Sequence, residues 1–105
     1  MSFPETTNVT IPSTEGTVPT GAGPEVDISQ LAPASKGYDF LRDAGAAFTA
    51  VLEGSVTGRT WTTIIALAAS GQGAITGHYN RVRVNVSVGG ALGATTDLRV
   101  AGVCQ

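Results

Sequence analysis

Arg81-Val82-Arg83-Val84-Asn85-Val86-Ser87-Val88 is the stretch on which the fold turns: four valines alternate with four polar residues. Successive side chains of a strand point to opposite faces, so Val82, Val84, Val86 and Val88 share one side, and Arg81, Arg83, Asn85 and Ser87 the other. A helix would scatter the valines around its axis. Burying each is worth roughly 1.5–3 kcal/mol, so the stripe predicts a strand that anchors the core. Gly89-Gly90 predicts a reversal through positive φ. Leu98, Val100 and Gly102 then repeat the alternation in a final strand.

Toward the N-terminus the same texture continues as short β-type runs between glycine-rich turns, with no proline after Pro33. Tyr38 to Arg42 reads as a brief strand. Phe48, Ala50 and Leu52 alternate with Thr49, Val51 and Glu53 as in a half-buried strand. A helical spacing also runs through Leu41, Ala44, Phe48 and Leu52, so a helix competes there. Thr57-Gly58-Arg59 forms a tight connection to a strand over Trp61 to Leu67, rich in Thr and Ile, which the loop Ser70-Gly71-Gln72-Gly73 ends. Trp61 reads as a core plug because one indole buries a large area among so few rings, with a sugar-stacking platform as the sharper alternative.

The first 35 residues differ. All five prolines (Pro4, Pro12, Pro19, Pro24 and Pro33) lie among Thr, Ser and Gly without hydrophobic periodicity, and four acids occur with no base before Lys36. Proline lacks the backbone donor and favours extended geometry, so residues 1–35 predict an extended arm that is mobile alone and orders against a distant surface. Phe3, Val9, Ile11 and Val18 are its candidate apolar anchors. Residues 36–105 form the domain. The expected fold is all-β: one small antiparallel β-sandwich, jelly-roll-like or a related Greek key, preceded by the arm.

Composition narrows the function. Net charge is −2 with only six Lys and Arg in 105 residues, too few to neutralise many phosphates, so no nucleic-acid partner is expected. No run is long enough to span a membrane, and the opening Met-Ser-Phe-Pro-Glu has no basic, apolar leader, so the expectation is synthesis in the cytoplasm. Asn8-Val9-Thr10 and Asn85-Val86-Ser87 therefore carry no weight as glycosylation signals. One Cys and one His are too few for a structural zinc site, so no metal or other cofactor is expected, and Cys104 reads as an inert thiol with an intermolecular bridge as the alternative. His78 is the only imidazole, no Gly-x-Ser-x-Gly elbow accompanies Ser55 or Ser70, and Gly71-x-Gly73 has no helix behind it. No catalytic residue is expected, and the chain does not read as an enzyme.

Leu52-Glu53-Gly54-Ser55, Gly58, Trp61-Thr62-Thr63-Ile64, Gly77, Tyr79, Arg81 to Val86 and Gly89-Gly90 together resemble a module of small tailed-bacteriophage virion proteins. The chain is most similar to head decoration, or cement, proteins, over roughly residues 46–103. Where such modules have Asp before Gly, this sequence has Val56-Thr57-Gly58, so no acidic role carries over to that turn. The resemblance implies a protein on the capsid exterior that binds the major capsid protein of the same particle. It also implies a homo-oligomer, a trimer on threefold or quasi-threefold positions. Without disulfide or metal, association is the remaining support for a small core. Arg81 and Arg83, opposite the valines, are candidate partner contacts. The alternative function is a tail- or fibre-associated module that binds a carbohydrate or receptor; a hydrolase is nearly excluded.

Overall fold

The computed structural model describes residues 3–104, the side chain of Phe3 excepted. In chain order the strands are β1 (Phe3–Asn8), β2 (Thr17–Val18), β3 (Gly21–Ala22), β4 (Val26–Asp27), β5 (Gly37–Leu41), β6 (Thr49–Ser55), β7 (Thr62–Ala66), β8 (Gly71–Ala74), β9 (Arg81–Val88), β10 (Gly90–Ala91) and β11 (Asp97–Cys104). A single 3-10 turn covers Pro33–Ser35. The chain is all-β with antiparallel sheets and no α-helix among the described residues, so the helical spacing through Leu41 to Leu52 is not realised. Phe48, Ala50 and Leu52 are buried instead, at alternate positions leading into and along β6.

One sheet has the order β1-β11-β5-β8. The other runs β9-β6-β7, with β3 and β4 both on the free side of β9, and β2 and β10 make a separate two-stranded ribbon. First pairs with last: β1 with β11, β3 and β4 with β9, β5 with β8, and β6 with β7 at the middle of the chain. Phe40, Leu98 and Val100 from one sheet and Ala50, Leu52, Val82, Val84 and Val86 from the other enter a single buried cluster. Both sheets therefore share one core.

Residues 3–35 are not an arm. β1 pairs with β11 along its whole length, from Phe3 opposite Cys104 to Asn8 opposite Arg99. Val9, Val18, Ile28 and Leu31 are at most 3% exposed and belong to the core, so Val9 and Val18 are not surface anchors. Ile11 packs against the same cluster, and the side chain of Phe3 lies outside the described residues. The prolines permit this because the segment supplies only edge strands and connections, where a missing donor costs no ladder bond. At Thr14–Thr17 the chain reverses through Glu15 and Gly16, both at positive φ (50° and 79°), closed by two backbone bonds of 2.8 and 3.0 Å. That is the two-residue turn that matches strand twist, not an extended arm.

Two further expectations on β9 are corrected. Val88 is 56% exposed. The β6–β9 register pairs Ala50 with Val86 but Thr49 with Val88, so Ser87 is an extra residue in a bulge. A bulge shifts the alternation by one, which puts Val88 on the outer face with Thr49. Gly89 and Gly90 are not at positive φ among the described backbone; a Cβ at either would sit 2.5 Å from the Val18 carbonyl oxygen or 2.4 Å from that of Ala47. They are small because two other segments approach the chain there. Likewise Ser70 to Gly73 does not simply end a strand, since Gly71–Ala74 pairs with β5 as an edge strand.

Candidate functional site

The outer face of the β9-β6-β7 sheet brings together polar and aromatic residues singled out by the sequence. β6 and β9 put Glu53 directly opposite Arg83, and β7 begins one residue after Trp61. Arg83 Nε donates to Glu53 Oε1 at 2.9 Å, and Asn85 Nδ2 donates to Glu53 Oε2 at 3.4 Å. The guanidinium carbon of Arg83 lies 4.1 Å from the centroid of the Trp61 ring. The Arg83 and Glu53 side chains are 21% and 12% exposed, so the pair is shielded enough to be held in one geometry.

Trp61 is therefore not the core plug. It is half-buried outside the core cluster, with one ring face covered by a cation. A second half-buried ring, packed against the core, is seated by glycine: a Cβ on Gly54 would come within 2.6 Å of the Tyr79 ring and 2.9 Å of Ile64 Cδ1. Glu53-Gly54-Ser55 ends β6 ahead of a bend, and Gly54 is the seat of Tyr79. Arg81 turns the other way along the face and pairs with Glu25 at 3.2 Å, both side chains well exposed, tying β4 to β9. Such exposed pairs add little stability. Arg81 and Arg83 are thus already matched by acids, and the face presents a nearly neutral plate with its hydrogen bonds pre-arranged.

Ser55 is buried, and its Oγ accepts from the Gly58 amide at 2.8 Å. Ser70 Oγ accepts from the Arg42 amide at 2.7 Å and donates to the Arg42 carbonyl at 3.4 Å. Both hydroxyls close loops. His78 lies on the exposed rim of a cleft of about 420 Å³ that also includes Lys36. Lys36 is 5% exposed and gives a 2.6 Å hydrogen bond to the Tyr79 carbonyl; burial pushes its ammonium below the usual lysine range. No cluster of three or more His, Cys, Asp or Glu that could hold a metal occurs among the described residues.

Cys104 Sγ donates to Glu5 Oε2 at 2.6 Å across the β1–β11 pair. The accepting carboxylate, followed by burial, holds this thiol above the usual cysteine range, which suppresses the nucleophilic thiolate. On the outer face of the other sheet an open groove of about 700 Å³ runs over Gly37, Asp39, Gln72, Ala101 and Val103.

No family model matches the chain, and no curated protein and no solved structure matches it either.

Proposed function

We propose that this protein is a structural component of a bacteriophage particle, a capsid decoration protein that braces the outside of the head shell as a homo-oligomer. The observation that carries the reading is the convergence of the residues of the resemblance. Tyr79, in the connection before β9, seats on Gly54 of β6, and Arg83 of β9 is held between Glu53 of β6 and Trp61, which immediately precedes β7. A neutral plate with satisfied polar groups and a half-buried aromatic suits docking on another protein surface, where Arg and Trp are enriched.

The architecture we infer is a jelly roll, the finer form of the all-β fold. Its support is the pairing of first strand with last, inward to β6 and β7, over two sheets that share a core. Jelly rolls serve both in viral capsids and in lectins, so fold analogy alone favours neither role. Arg83 over Trp61 favours the first: the cation takes one face of the ring and leaves a sugar only the other.

The test is the location of the chain in an electron-microscopy map of the intact particle. Density on the head exterior, with the β9-β6-β7 plate against the shell, is expected. Trp61→Ala and Arg81→Glu, both outside the core, should lower occupancy while the protein still melts cooperatively. Density confined to the tail, or full occupancy by both variants, overturns the reading.

A further inference from the structure

The free edges of the two sheets are treated differently on the two flanks of the molecule. On one flank β1 carries Pro4 and Glu5, and β3 and β4 lie among Pro19, Pro24, Glu25 and Asp27. Prolines and charges at a sheet edge prevent another strand from adding there. On the other flank the outermost strands are β7 of one sheet and β8 of the other, joined by only Leu67–Ser70. From Thr60 to Asn80 there is no proline and no Lys, Arg, Asp or Glu. All four residues of β8 are exposed, and Ile64 and Ile65 of β7 are half-exposed. No further strand pairs with β7 or β8 on its outer side among the described residues.

We propose that the β7–β8 flank is the surface on which a second copy of this chain adds its own β7–β8 flank, edge to edge, extending the sheets across the contact. The occupant follows from charge. When an edge pairs with a copy of itself, residues meet others of the same short segment, so any charge there would face its like. This flank has none. The opposite flank of the incoming copy is closed to the same contact by proline and by the carboxylates of Glu5, Glu25 and Asp27. Backbone bonds across the edge then supply affinity, and the half-exposed isoleucines supply apolar contact. The inference rests on the self-association in the proposed function and gives it a location; a flank that pairs with its own copy closes a twofold dimer, not the trimer that the resemblance implies, and the contact does not use the capsid.

Analytical ultracentrifugation of the purified full chain, with no particle present, tests it. The wild type should sediment as a dimer at micromolar concentration. Thr62→Lys on β7 combined with Gln72→Lys and Ala74→Lys on β8, all at exposed positions, should weaken association about tenfold or more while the cooperative melt is retained. Thr6→Lys on β1, also exposed, should associate as wild type does. Amide hydrogens of β7 and β8 should gain exchange protection with concentration. A wild type that is monomeric throughout, or lysine variants that associate normally, overturns the edge proposal and leaves particle docking to its own test; an empty head surface overturns the capsid reading and leaves the edge intact.

Discussion

Val84 and Val88 sit four positions apart on one strand and occupy opposite environments, 0% and 56% exposed. Val84→Asp strands a carboxylate in the core and should cost about 3–5 kcal/mol; Val88→Asp should stay within about 0.5 kcal/mol. Urea melts of the two variants check the bulge at Ser87, because an unbroken alternation would make them equally damaging. Gly54→Ala drives a methyl into Tyr79 and Ile64 and should cost about 1–3 kcal/mol by the same assay. Lys36 gives a pH signature. Its pKa is lowered on folding, so between that value and the unfolded 10.5 the unfolded chain binds more protons and stability rises with pH. Lys36→Met should flatten this rise, seen as a loss of the difference in melting temperature between pH 8 and pH 10.5.

Among the elements, the first three strands carry the clearest consequence. Removing residues 1–25 takes away β1, β2, β3 and the buried Val9 and Val18, each worth roughly 1.5–3 kcal/mol. Against a stability of about 5–15 kcal/mol, the truncated chain should lose its cooperative thermal transition in circular dichroism. A tethered arm would come off without that loss. β1 does alternate, with Glu5, Thr7 and Val9 more buried than Pro4, Thr6 and Asn8. Its inward positions near the rim are polar, so no hydrophobic period was there to read. β5, β6, β7, β9 and β11 were legible because their inward residues are Phe, Leu, Ile and Val. In β8, by contrast, glycine and glutamine carry no strand signal, and pairing with β5 alone makes it a strand.

At the scale of the molecule, Phe3 opposite Cys104 means that the chain closes end on end. Loop closure of that span precedes any reward from the first sheet, so refolding should take milliseconds to seconds, measurable by stopped-flow Trp61 fluorescence. A microsecond phase carrying the full amplitude would contradict the topology. The candidate plate depends on the same assembly. Arg83 was readable as an outward residue, but Glu53 and Trp61 lie 30 and 22 positions away, and only the ladder of β6 with β9 and the start of β7 gather them. What the sequence by itself determined is the antiparallel β class and the valine face of β9, because period-two burial is a local property of the pleat. Whether Val9 and Val18 lie inside, which valine the bulge turns outward, and what covers Trp61 were decided only by the tertiary structure, because each depends on partners 20 or more residues away along the chain.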